Sequence, residues 1–152
     1  MSLTMTKAER EAFLADVHIG VISLAEAGRG PLTVPIWYGY EPGGELWFVT
    51  DGNSRKGCLL YEVQRVSVCV QAEKPPYKYV SVEGPITSIS PTDLERDLRP
   101  LARRYLGSEL GDRYIRATGG AETRVNSIVV RVRPERWLTT DYGKRSSMGV
   151  GG

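Results

Sequence analysis

Along most of the chain, apolar residues recur at every second position, in runs short enough to be strands. Residues 18–25 (HIGVISLA) open the series, with a turn over 26–30. In 31–40 (PLTVPIWYGY), Leu32, Val34, Ile36 and Tyr38 share one face. Pro35 has no N–H to give a ladder, so an edge strand or an interrupted pairing is predicted there. Pro42-Gly43-Gly44 closes a hairpin into 45–50 (ELWFVT). Residues 65–72 set Val66, Val68 and Val70 against Ser67, Cys69 and Gln71. After Pro75-Pro76, residues 77–89 read as one long strand. It places Tyr77, Tyr79, Ser81 and Glu83 on one face and Val80 and Val82 toward a core. Gly84-Pro85 predicts a bulge or bend in it. The alternation returns over 123–133, and 136–140 extends it past Pro134.

Helical spacing interrupts this series in three places. Thr6-Lys7-Ala8-Glu9 fits a capping box, with Phe13, Leu14 and Val17 as the apolar stripe behind it. Residues 54–62 form a short helix carrying Leu59 and Leu60. Ser90 as N-cap and Pro91 as first helical residue start a third, whose stripe is Leu94, Leu98, Leu101, Ala102, Tyr105 and Leu106. Pro100 inside that stripe predicts a kink or two short helices. A further helix near 110–117 stops at Gly119-Gly120. Six strands with this helical decoration suggest a small β-barrel occupying residues 1–142. The Gly- and Ser-rich stretch 143–152 is expected to be a flexible tail.

Composition narrows the chemistry. At 152 residues, 41% hydrophobic and 25% charged, the chain reads as one soluble, cytoplasmic domain. No apolar run approaches the roughly 18 residues of a membrane span, and the N-terminus lacks the apolar region of a signal peptide. Two cysteines and one histidine argue against a disulfide scaffold or a zinc site. A nucleophile served by histidine would rest on His18 alone. The cysteines read as small buried hydrophobes and His18 as a structural or surface residue.

The net charge of +2 hides an uneven distribution. Residues 1–95 carry 8 basic and 12 acidic side chains, a net of −4, whereas 96–136 carry 10 arginines and 5 acids, a net of +5. The arginines are interleaved with acids on helix, as on a solvated face, and a nucleic-acid-binding domain normally shows a stronger basic excess.

The most informative stretch is 47–56 (WFVTDGNSRK), where a strand end, a polar loop and a helix start follow in one turn. Thr50 and Ser54 bring hydroxyls, and Arg55 and Lys56 bring adjacent cations, which is what a phosphate needs. The same pattern also describes an ordinary helix cap with surface charge. Trp37, Tyr38 and Tyr40 beside a glycine can offer aromatic faces and open backbone to a flat ring; they can equally be packing residues.

These pieces, in this order, resemble the pyridoxamine 5′-phosphate oxidase-like superfamily, with its flavin- and deazaflavin-dependent oxidoreductases. The resemblance runs from about Asp16 to about Tyr142 and is carried by PLTVPIWYGY, LWFVTDGNSRK, VSVCVQ and YVSVEGPI. It implies a mainly β fold with helices (α+β): a six-stranded antiparallel split β-barrel of the FMN-binding type, working as a homodimer. It further implies that Thr50, Ser54, Arg55 and Lys56 hold the cofactor phosphate, that the backbone of Val34, Pro35, Ile36, Trp37 and Tyr38 lines the flavin-type ring, and that Tyr79 meets the ring from the partner subunit. Trp137 is expected at the substrate pocket. The resemblance points to a hydride-transferring oxidoreductase using the deazaflavin F420, ahead of FMN, on a small organic substrate, with the arginine-rich segment toward the polyglutamate tail of F420. A cofactor-binding protein without turnover is the alternative. Oxidation of pyridoxamine phosphate fits less well, because the Arg-Leu-His-Asp-Arg type motif is replaced by PERWLTTDYGKR and no histidine follows His18. Haem binding is the weakest variant for the same want of histidine.

Overall fold

The computed structural model describes residues 2–118 and 125–146. Helix α1 spans Lys7–Ala15, and Thr6 and Glu9 complete the capping box expected of them. The stripe behind it is shorter than its spacing suggested. Phe13 and Leu14 are buried, but Val17 lies beyond the helix end and is exposed.

Seven strands follow: β1 (Gly20–Leu24), β2 (Leu32–Ile36), β3 (Leu46–Asp51), β4 (Arg65–Gln71), β5 (Lys78–Pro91), β6 (Ser127–Val132) and β7 (Arg136–Asp141). All pair antiparallel, in the order β2-β1-β4-β5-β6-β3. This is the six-stranded half-barrel implied by the alternation, with β7 added past Pro134. Residues 123 and 124 of the expected last strand lie outside the described residues, as does Gly119-Gly120.

Strand β5 is the spine. Its first half carries β4 on one edge and β7 on the other, and its second half carries β6. The irregularity falls between Ile86 and Ser88, just past the expected Gly84-Pro85. Gly84 has a different task. A Cβ there would stand 1.7 Å from the Arg133 carbonyl oxygen, because the β6–β7 linker crosses directly over it. The linker is tied down by Arg133 N–H to the Pro85 carbonyl (3.0 Å) and Glu135 N–H to the Glu83 carbonyl (2.9 Å).

Inward residues of both halves, among them Ile22, Phe48, Leu46, Val68, Val80 and Val130, are fully buried in one core. Each such side chain contributes roughly 1.5–3 kcal/mol. The two cysteines do not share that core. Cys58 and Cys69 are both exposed, because Cys69 alternates outward between buried Val68 and Val70.

The helical insert departs most from expectation. Ser90 and Pro91 do not start a helix; they end β5, paired with Val129 and Ile128 of β6. The N-cap is Asp93, whose side chain accepts from Arg96 N–H at 2.7 Å at the head of a π-helical turn, Leu94–Leu98. Pro100 then sits in the first turn of α3 (Arg99–Ala117), where its missing N–H costs nothing. The break in α3 comes at Gly107, whose φ of 83° belongs to the left-handed region. There the chain reverses. Gly111 lies so close to Arg103 that a Cβ would meet its Cα at 2.8 Å, and Asp112 takes hydrogen bonds from both Arg99 and Arg103. Leu98, Ala102 and Ile115 form a small second core between the halves.

Helix α2 (Arg55–Leu60) is capped by Ser54, and a single helical turn, α4 (Gly143–Ser146), opens the segment expected to be a flexible tail. Lys144 of that turn reaches the Thr4 carbonyl (3.0 Å) and Glu9 (2.8 Å). The rest of the expected tail, 147–152, lies outside the described residues. Among the described residues no helix is long and apolar enough to cross a membrane.

Candidate functional site

The terminal strands β2 and β3 meet only through one bridge beyond the end of β2. Gly39 N–H donates to the Trp47 carbonyl at 2.8 Å, and Trp47 N–H returns to the Gly39 carbonyl at 3.0 Å. Continued in register, that bridge would set Trp37 opposite Val49, Ile36 opposite Thr50 and Pro35 opposite Asp51. The ladder stops instead. Pro35 has no N–H to extend it, and these six residues line a cleft of about 470 Å³. Lys56 from α2, Leu98, Leu101 and Tyr114 from the helical insert, and Val125, Asn126 and Ser127 at the start of β6 complete it. Its size and mixed lining are those of a small-molecule site.

Lys56 is the positive group of the cleft. It is half-buried, and desolvation lowers its pKa from the ordinary lysine value; Asp51 lines the same cleft, but among the described residues Lys56 makes no ion pair. Thr50 adds a hydroxyl for which the described residues provide no hydrogen-bond partner. Other polar groups are already engaged. An Asp51 carboxylate oxygen accepts from Asn53 N–H at 2.8 Å, and Ser127 donates to Thr92 at 3.0 Å.

On the opposite wall the Trp37 ring lies flat on Tyr105, with ring centroids 4.9 Å apart and planes 6° from parallel. Tyr114 leans on it at 5.7 Å. Tyr105 is itself fixed: its hydroxyl donates to the His18 carbonyl at 2.6 Å and accepts from Tyr38 N–H at 3.0 Å. Burial raises its pKa, so the hydroxyl keeps its proton. A partly desolvated cation, a free hydroxyl and a rigid aromatic wall suit a flat molecule that ends in an anion.

The model of the family described as pyridoxamine 5′-phosphate oxidase matches residues 6–141, nearly the whole chain. The chain belongs to this family. No curated protein matches the oxidase-family chain at a significant level. Solved structures share its fold at low identity. An F420 reductase is 20% identical, with a TM-score of 0.70 over 84% of this chain and 94% of its own. A conserved hypothetical protein from Mycobacterium tuberculosis is 24% identical, with a TM-score of 0.76 over 99% and 95%. A FAD and haem binding protein from Mycobacterium smegmatis is 16% identical, with a TM-score of 0.70 over 98% and 80%.

In this member of the oxidase family, five of the residues singled out by sequence come together: Pro35, Ile36, Trp37, Thr50 and Lys56 all line the cleft. The others lie elsewhere. Val34 turns inward against the core, and Tyr38 is fully buried, its hydroxyl donating to the Leu14 carbonyl at 2.7 Å. Ser54 is occupied as a cap, accepting from Gly57 N–H at 2.9 Å and donating to the Asp51 carbonyl at 2.7 Å. Arg55 swings away to Glu26 in the β1–β2 turn. Tyr79 stands on the outer face of the sheet, between Gln71 and Thr140. Trp137 packs against the core beneath the Arg10 guanidinium, 4.6 Å from its ring centre.

Among the described residues, five of the ten arginines of the 96–136 segment are ion-paired. Arg96, Arg99, Arg103, Arg113 and Arg133 each pair with a carboxylate. His18 packs on Phe13 at 4.4 Å, and its Nε2 is buried with no hydrogen-bond partner among the described residues. Sequence reasoning missed the wall built by Leu98, Leu101 and Tyr114, and the Asn126-Ser127 corner.

Proposed function

We propose that this protein is an oxidoreductase that binds F420 or FMN in the cleft between β2 and β3, as a homodimer, and reduces or oxidises a small organic substrate there. The observation that carries this reading is Lys56: a half-buried cation facing a cleft that holds no acid paired to it. Such a group fits a phosphate, and the wall from Pro35 to Trp37 fits a flat ring. When bound, the reduced ring supplies a hydride; the protein supplies position and electrostatics. Lys56 and Thr50 would hold the phosphate, Pro35–Trp37 would support the ring, and the helical insert would exclude water. The names of the F420 reductase and of the FAD and haem binding protein support a flavin-type cofactor. F420 remains the favoured choice, ahead of FMN.

The homodimer has its own support. Pro35, Val21, Cys69, Ser81 and Leu138 lie side by side in register across five strands, all on the outer face. Val21 is 38% and Leu138 65% exposed. A small and apolar row of this kind marks an association surface. It begins at Pro35, which also lines the cleft, and Tyr79 flanks it on β5. Leu138→Arg is therefore expected to turn a dimer into a monomer in analytical ultracentrifugation, with far-UV circular dichroism unchanged. A dimer of undiminished stability in this variant would remove the face from consideration.

The reading as a whole is tested by titrating the protein separately with FMN and F420 and following the absorbance of each ring. Saturable one-to-one binding of at least one of them is expected. If neither ring shifts its spectrum, the reading fails.

A further inference from the structure

Beside the cleft lies a second recess of about 220 Å³, lined by Ile19, Pro35, Ile36, Trp37 and Tyr114. It shares four of these residues with the cleft and adds only Ile19. Its character differs. The cleft has Lys56, Asp51, Thr50 and Asn126 in its lining, whereas no charged or amide side chain lines the recess. The Trp37 ring belongs to both. It cannot turn freely, because it is stacked on Tyr105, whose hydroxyl is pinned to backbone at two points. A fixed aromatic plate loses little conformational entropy when a second ring covers it.

We propose that this recess is the substrate subsite and that it selects a planar, uncharged, apolar ring. The inference rests on the reading of the cleft as a cofactor site, which it deepens by naming the substrate class. Three observations support it. The recess adjoins the cleft and shares Pro35, Ile36, Trp37 and Tyr114 with it, so its occupant would lie beside whatever fills the cleft. Its lining has no group to pair with a charge, so an anionic or cationic ring would enter without compensation for lost hydration. Pro35 and Trp37 offer flat apolar surface, on which aromatic rings gain offset-stacking energy beyond simple burial.

Ile19 separates the two sites experimentally, since it lines the recess and not the cleft, and it is 53% exposed. The probes are 2-naphthol and naphthalene-2-sulfonate, which share a ring and differ in charge. Their affinities are measured by fluorescence in the presence of saturating FMN or F420, so that the cleft, where Lys56 would itself attract the sulfonate, is filled. Wild-type protein is expected to bind 2-naphthol at least about tenfold more tightly than the sulfonate, a difference of about 1.4 kcal/mol. Ile19→Glu should weaken 2-naphthol by about tenfold or more, because it buries a carboxylate against the ring. Its affinity for the cofactor should stay as in wild type, and Ile19→Val should behave as wild type throughout.

Equal binding of the two probes overturns the proposal, as does unchanged 2-naphthol affinity in Ile19→Glu. A loss of dimer mass in Ile19→Glu without a change in 2-naphthol affinity would give the recess to a second copy of the chain, and also overturns it. Absence of FMN and F420 binding in wild type would instead remove the cofactor reading, and the loss of 2-naphthol affinity in Ile19→Glu would still report on the recess.

Discussion

Lys56→Ala is expected to weaken FMN or F420 binding by about 10- to 150-fold, the worth of about 1.5–3 kcal/mol for hydrogen bonds to a charged group. Arg55→Ala should change it by no more than about twofold, since Arg55 is exposed and held by Glu26. Adjacent cations in one motif are thus expected to differ widely in effect, and fluorescence titration of the two single variants measures this directly. The pH dependence follows from burial. A phosphate is bound by the ammonium form of Lys56, and desolvation lowers the pKa of that ammonium. Affinity should therefore fall as pH rises through the lowered value, earlier than for a solvent-exposed lysine. Lys56→Arg should abolish this alkaline fall, because arginine stays charged. An affinity that is flat in pH for wild type, or equal losses in the two alanine variants, would detach the phosphate from Lys56.

Gly84→Ala is expected to cost about 3 kcal/mol or more, at the upper end of overpacking penalties. The clash is with backbone, not with the tip of a flexible side chain: the new Cβ would stand 1.7 Å from the Arg133 carbonyl oxygen. Relief requires lifting the β6–β7 linker and breaking the bonds it makes to Pro85 and Glu83. Calorimetry should show Tm lowered by roughly 6–12 °C. Gly30→Ala is the matched control, since nothing lies within 4 Å of its new methyl. It should be neutral, or slightly stabilising through the unfolded chain. Equal Tm values for the two variants would mean that the linker does not sit on Gly84.

The legible parts of this protein were those governed by local period and local caps. Two-residue alternation revealed six of the seven strands but read β7, which turns back to pair with β5, as an extension of β6; Thr6 and Ser54 announced their helices because a hydroxyl or carboxylate at the cap acts within one turn. Ser90-Pro91 misled because a proline without an N–H serves the end of a strand as well as the start of a helix. Only the pairing with β6, distant in sequence, decides between them. The candidate site divides in the same way. Pro35 foretold the failed ladder, and the motif around Thr50 and Lys56 foretold the polar end of the cleft. Nothing local foretold Tyr114. Its position depends on the reversal at Gly107 and on the close approach that Gly111 permits. Nor was the loss of Arg55 to Glu26 readable, since that pair joins two turns separated by β2 and β3.

The position of β3 at the end of the strand order also governs when the site comes into being. Its only full ladder is to β6, so Thr50 waits for Ile128, far along the chain. A nascent or truncated chain ending before β6 can pair β1, β2, β4 and β5 but has no stable second wall to its cleft. Long-range closures of this kind fold slowly. A bound ligand would then recognise only the finished barrel and would stabilise that state alone. Ligand present during refolding should therefore slow unfolding far more than it speeds the first collapse, leaving the early sheet to assemble on its own side chains.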